Sequence, residues 1–131
     1  MSNYNPQEAL KQYRQLGIES EVNHASPHRL IQMLFEGALG RLAIAQGALE
    51  RGDVAVKGEA LGKAIGIISG LQASLDMSAG ELSDNLSALY DYINIRLLEA
   101  SRQNDSEKVA EVIQLIKTLK SAWDEIAVEK S

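Results

Sequence analysis

The chain has 131 residues, a net charge of −5, 45% apolar and 24% charged residues, the size and balance of one globular domain rather than of a disordered chain. The acidic balance argues against bulk binding to nucleic acid or to an anionic membrane, since both need Lys and Arg set against phosphate. There is no cysteine, which excludes disulfides, thiolate chemistry and zinc–thiolate sites; no stretch approaches the roughly 18 uninterrupted apolar residues of a membrane span, and the opening Met-Ser-Asn-Tyr-Asn-Pro lacks the basic and apolar runs of a signal peptide, so a cytoplasmic protein without membrane insertion is expected.

Residues 1–25 read as a short helix and a mobile arm. Pro6 suits the first turn of a helix carrying Leu10, Tyr13 and Leu16, and Gly17 ends it. The stretch from Ile18 to Ala25 has no clear period. The remaining residues, 26–131, read as one bundle domain.

Ser26-Pro27 is a strong helix start, because the serine oxygen caps free N–H groups and proline loses nothing at the first helical position. The first long helix runs to about Arg51, with Ile31, Leu34, Phe35, Ala38, Leu42, Ala45 and Leu49 at three- and four-residue intervals. Arg51-Gly52-Asp53 then stops one helix and caps the next, a better reading of this tripeptide than an integrin motif. The second runs from about Val54 to Leu75 and puts Leu61, Ala64, Ile65, Ile68, Leu71 and Leu75 on one face. Ser78 and Glu81 match the spacing of a capping box. A third helix follows to about Arg102 with Leu82, Leu86, Leu89, Tyr90, Ile93, Leu97 and Ala100 inward. After the turn at Gln103-Asn104-Asp105, the last helix carries Val109, Val112, Ile113, Ile116, Leu119, Ala122, Trp123 and Ile126. Connections this short make successive helices antiparallel neighbours, so the fold is all-α: an antiparallel up-down four-helix bundle with an additional short N-terminal helix.

Some features exceed what such a bundle needs. Gly58, Gly62, Gly66 and Gly70 recur every fourth residue in the second long helix, at roughly 0.5–1 kcal/mol each relative to alanine. Either a neighbouring helix of the bundle approaches closely there, or a partner lies against bare backbone. The third helix has a second apolar line of Ala88, Tyr92, Ile95 and Leu98, and the first has Leu30, Met33, Gly37, Ile44 and Ala48 off its main face. Second stripes serve either two neighbours or a guest; together they suggest a groove involving Leu30, Met33, Gly62, Gly66, Ile67, Gly70, Tyr92, Ile95 and Leu98. Leu10, Tyr13 and Leu16 are candidates to cover it when no guest is present.

Candidates for chemistry are weak. Glu21-Val22-Asn23-His24 has the Glu-x-x-His spacing of di-iron bundles, but no second motif faces it. His28, the other histidine, sits in a first helical turn rather than mid-helix, which disfavours a phosphotransfer domain. There is no Gly-rich phosphate loop. No catalytic residue, metal or cofactor is expected, and the chain is expected not to be an enzyme.

Several stretches then resemble one family. Ser26-Pro27-His28-Arg29-Leu30-Ile31-Gln32-Met33-Leu34-Phe35-Glu36-Gly37-Ala38 is similar to the Ser-Pro-x-x-Leu-Ile-x-Met-Leu-Tyr-Asp-Gly-Ala signature of the flagellin-specific export chaperones, the FliS family. Leu61-Gly62-Lys63-Ala64 with Ile67-Ile68, Leu71 and Leu75-Asp76, then Gly80-Glu81-Leu82, Leu86, Leu89-Tyr90-Asp91-Tyr92 and Arg96-Leu97, follow in the family's order, and Trp123 stands where the family commonly closes its last helix. Phe35 and Glu36 replace its usual tyrosine and aspartate. The resemblance implies a chaperone that binds the disordered C-terminal segment of flagellin, blocks premature polymerisation and hands its client to the export gate protein of the flagellar type III secretion system. It also implies an N-terminal segment whose aromatic residue covers the groove until flagellin displaces it; Tyr13 is the best match, with Tyr4 the alternative. A generic helical adaptor or a phosphotransfer signalling protein is the competing reading, and whether the chain forms a homodimer is left open.

Overall fold

A computed structural model describes residues 4–15 and 26–130. Among them are five α-helices: α1 (Pro6–Gln15), α2 (Pro27–Arg51), α3 (Val54–Ala73), α4 (Glu81–Gln103) and α5 (Ser106–Lys130), with a single 3₁₀ turn at Met77–Ala79 before α4. The boundaries expected from hydrophobic period fall within about two residues of these, apart from the start of the third long helix.

The stops and starts are made by the residues that announce them. Ser26 Oγ accepts from the Arg29 N–H at 3.1 Å, and Asp53 Oδ1 accepts from the Val56 N–H at 3.1 Å. Gly52 adopts φ 72°, a left-handed backbone that costs glycine nothing, and its N–H turns back onto the last carbonyls of α2. Asn104 closes α4 in the same conformation at φ 53°. The capping box expected at Ser78 and Glu81 does not form. Ser78 belongs to the 3₁₀ turn, where Asp76 Oδ1 accepts from its N–H at 3.1 Å. Gly80 at φ 94° precedes α4, and no side chain caps that helix.

Helices α2 to α5 close a ring of neighbours, α2 on α3, α3 on α4, α4 on α5 and α5 on α2, while α1 lies across α2 and α3. Phe35, Ile31, Leu34, Leu42, Leu61, Ile68, Leu71, Tyr90, Ile93, Leu97, Val109 and Ile116 are all fully buried at the centre. Leu82 departs from its expected inward place. It is 55% exposed, and the adjacent Ser83 takes the inward place in the first turn of α4. Ala122 is also exposed rather than inward.

Polar bonds fix the lateral register. Gln72 Nε2 on α3 donates to Asp91 Oδ1 at 2.8 Å and to the Ser87 carbonyl at 3.0 Å, and Asn94 Nδ2 donates to Ser69 Oγ at 3.1 Å. Lys57, buried, reaches from α3 to the end of α4, donating to Asn104 Oδ1 at 2.7 Å and the Ser101 carbonyl at 3.0 Å. A cation on the last carbonyls of a helix also meets the negative end of its dipole.

Candidate partner-binding surface

On α4 the core face and the outer face are both apolar. Tyr90, Ile93, Leu97 and Ala100 are fully buried, while Tyr92, Ile95 and Leu98 are 42%, 56% and 56% exposed, and Ala88 extends the same outer line. The Tyr92 ring is held in place from below. Its hydroxyl donates to Glu111 on α5, the Arg96 guanidinium lies 5.9 Å from its centroid, and Arg96 donates to Glu111 Oε1 at 2.7 Å and 2.8 Å through Nη2 and Nε. Hydrogen bonds from Tyr92 and then Arg96 hold the Glu111 carboxyl below its ordinary range. The same bond to Glu111 raises the Tyr92 phenol. The result is a pre-set aromatic edge, continuous with Ile95 and Leu98.

The glycines of α3 divide between two environments. A methyl group at Gly70 would stand 3.3 Å from Gln12 Cβ, so Gly70 lets α1 approach closely. At Gly58 and Gly62 nothing lies within 4 Å of an added Cβ. Packing inside the bundle therefore explains the glycine at position 70 and not those at 58 and 62. Counting back from the Ser69–Asn94 pair along the antiparallel helices brings the half-buried Gly66 level with the Leu98 turn of α4 and Gly62 one turn further on, level with Ser101.

The second apolar line expected on α2 is mostly internal, which corrects the idea of leftover surface there. Leu30, Met33 and Ala48 are buried, and a methyl group at Gly37 would stand 3.4 Å from the Ile67 side chain. Only Ile44 of that line is largely exposed, at 46%. The reason is that α2 touches α3, α5 and α1 and so spends a wider stripe on its own fold. Ile67 and Gly70 are likewise buried. The nine groove residues thus fall into two sets: Leu30, Met33, Ile67 and Gly70 buried on helices that α1 packs against, and Gly62, Gly66, Tyr92, Ile95 and Leu98 open or half-open along α3 and α4.

The N-terminal residues seal one end of the bundle. Tyr4 is 5% exposed. Its hydroxyl pairs with that of Tyr90, and its ring meets Trp123 edge-on with centroids 5.2 Å apart. The adjacent Asn5 N–H donates to the Ser74 carbonyl at 2.6 Å, and Tyr4 bridges Leu75 at the end of α3. Burial pushes the Tyr4 phenol up to about 12, against the opposing effect of its bond to Tyr90; burial, then Tyr4 itself, raises the Tyr90 phenol as well. From there α1 runs over α2 and α3, with Ala9 fully buried and Leu10 half-buried against the core. Among the described side chains of this segment the buried aromatic is Tyr4, the alternative in the sequence reading. The Tyr13 side chain and all of Leu16 lie outside the described residues. Tyr4 was hard to find because a lone ring before Pro6 has no periodicity to reveal it.

Trp123 is packed, as its spacing suggested. It stacks on His28 with centroids 4.5 Å apart and its Nε1 donates to the His28 carbonyl at 3.0 Å. His28 is thereby held half-buried against a ring, a poor posture for a phosphoryl acceptor. The Glu21-x-x-His24 stretch lies outside the described residues, and among those described no group of three or more His, Asp or Glu side chains gathers where a metal could be held. Among them, too, no helix is long and apolar enough to cross a membrane.

The family model for "Flagellar protein FliS" matches residues 9–130. Among curated relatives, the flagellar secretion chaperone FliSB of Pseudomonas aeruginosa is 51% identical over 120 residues, covering 91% of this chain and 95% of the relative. The flagellar secretion chaperone FliS of Salmonella typhimurium is 49% identical over 124 residues, covering 93% and 92%, and that of Escherichia coli K12 is 43% identical over 121 residues, covering 91% and 89%.

Proposed function

The chain belongs to the flagellar protein FliS family, and from that premise we propose that it is a cytoplasmic export chaperone for flagellin, without enzymatic activity. It binds the disordered C-terminal segment of flagellin, prevents premature polymerisation, and with its client bound engages the export gate protein of the flagellar type III apparatus. Residues 26–131 form the chaperone domain, and the segment before them is its cover.

One observation carries this reading. Helix α4 buries a core face and still presents Tyr92, Ile95 and Leu98 at 42–56% exposure, with Gly66 and the open Gly62 of α3 beside the Leu98 end of that line. Isolated exposed apolar residues need no explanation; a continuous line beside bare backbone is a surface for another chain. A disordered segment that folds as it binds gains apolar burial along the whole line and loses conformational entropy at that moment, so it needs length rather than one deep pocket. The exposed half of each of these side chains contributes on the order of 1 kcal/mol when covered.

The buried set extends the surface. Leu30, Met33, Ile67 and Gly70 become available to the client when α1 and Tyr4 leave, and Leu10 then loses its packing. Tyr4 is the covering aromatic in this reading, with Tyr13 and Leu16 following on the same segment. The test is binding of purified flagellin by calorimetry, with and without its C-terminal segment. Saturable binding that disappears with the segment supports the proposal; equal binding of the truncated flagellin overturns it.

A further inference from the structure

We propose that Tyr90 is a specificity-determining residue of this surface: once Tyr4 leaves, the Tyr90 hydroxyl selects a client segment that brings its own hydrogen-bonding side chain into the vacated place. The inference rests on the reading above, in which the client displaces the N-terminal cover.

Tyr90 has no exposure at all. Among the described residues, the one hydrogen-bond partner of its hydroxyl is the Tyr4 hydroxyl. The ring that stands edge-on to Tyr4 is Trp123, and its indole N–H is already given to the His28 carbonyl at 3.0 Å. Covering the vacated site with a purely apolar side chain therefore leaves a buried O–H without a partner, which weakens binding more than the lost bond alone would. A client carrying a hydroxyl or amide at that position restores the pair. Sites built to hydrogen-bond a polar group reject analogues lacking it far more strongly than apolar pockets reject a size change. A phenol is protonated at neutral pH, and burial raises both of these further, so the pair offers a donor and an acceptor and no charge. The matching client group is thus a neutral Ser, Thr, Asn, Gln or Tyr side chain on the apolar face of an otherwise amphipathic segment.

The test crosses Tyr90→Phe with changes in the flagellin C-terminal segment. Each polar residue of that segment is replaced by an apolar residue of similar shape, Thr by Val or Tyr by Phe, and the affinity for both chaperone forms is measured. One position is expected to weaken binding to the unmodified chain roughly ten- to a hundredfold while changing binding to the Tyr90→Phe form less than about threefold. A segment in which no position couples to Tyr90 overturns the proposal. A second variant gives an independent readout: with Tyr4→Ala, phenol is expected to enter the vacated site at least about tenfold more tightly than toluene, a preference lost in the Tyr4→Ala/Tyr90→Phe pair. Equal binding of phenol and toluene to Tyr4→Ala overturns it as well. The emission of Trp123, the single tryptophan, separates the layers of the argument. If it does not change when the segment binds, Tyr4 has stayed in place and both the displacement and the selection fail. If it changes and no position couples, only the selection fails.

Discussion

Tyr4→Ala removes a ring that is 5% exposed from the end of the bundle. An aromatic side chain buries roughly 150–250 Å², and at about 25 cal/mol/Å² that area corresponds to about 4–6 kcal/mol, less about a third for a compact undocked state. Core truncations of this kind cost about 3–5 kcal/mol. Ordering each backbone residue of the arm opposes docking by about 1–2 kcal/mol, so the net hold of the cover is small and the substitution exceeds it. The cover is therefore released, while the ring of α2, α3, α4 and α5 keeps its core. Where cover and client compete, the apparent affinity for the client rises by the docking constant of the cover, up to about a hundredfold. Titration of the flagellin segment, followed by calorimetry with Tyr4→Ala and the unmodified chain side by side, reads this directly. Unchanged or weaker binding, with Trp123 emission showing that the ring has gone, would refute the idea that Tyr4 stands in the client's way.

Other perturbations bear on separate parts of the account. Ile95→Asp puts a charge on the outer line of α4 where Ile95 is 56% exposed; stability should move by less than about 0.5 kcal/mol, while client affinity falls about ten- to a hundredfold. Gly62→Ala has open space around it and should raise stability by about 0.5–1 kcal/mol in thermal or urea unfolding; Gly66→Leu should weaken client binding with helicity by circular dichroism retained. Lys57→Met strips the Asn104 amide oxygen and the Ser101 carbonyl of their shared cation and should cost about 1–3 kcal/mol in urea unfolding. For pH, the docked Tyr4 phenol is raised from 10.0 to about 12. Its contribution to docking is fully present below the ordinary phenol range and is lost as pH rises from about 10 through 12, so Trp123 emission should report the ring leaving in that window and Tyr4→Phe should remove this component.

The periodic residues made the bundle legible. Three- and four-residue spacing identified most of the buried face of each long helix, and Ser26, Gly52, Asp53 and Asn104 act where their chemistry announces a boundary. What was not legible depends on neighbours rather than on the helix itself. A second apolar line looks alike in sequence whether a third helix or solvent faces it: Met33 and Ile95 both lie on such lines, yet Met33 is buried and Ile95 open, because α1 and α5 flank α2. The glycine stripe was ambiguous for the same reason, since Gly70 accommodates Gln12 and Gly62 faces nothing. Ser78 matched a capping pattern that the local chain resolves differently, with Asp76 taking the Ser78 N–H first. The Tyr4–Tyr90 pair spans 86 positions, a separation at which no local pattern operates.

The most direct measurement is hydrogen exchange of the full chain, free and saturated with the flagellin C-terminal segment. Exchange is expected to slow along α3 and α4 around Gly62 to Leu98 and to quicken in residues 5–12 as α1 and its tyrosine let go. Slowing confined to α5, with residues 5–12 unchanged, would contradict the account.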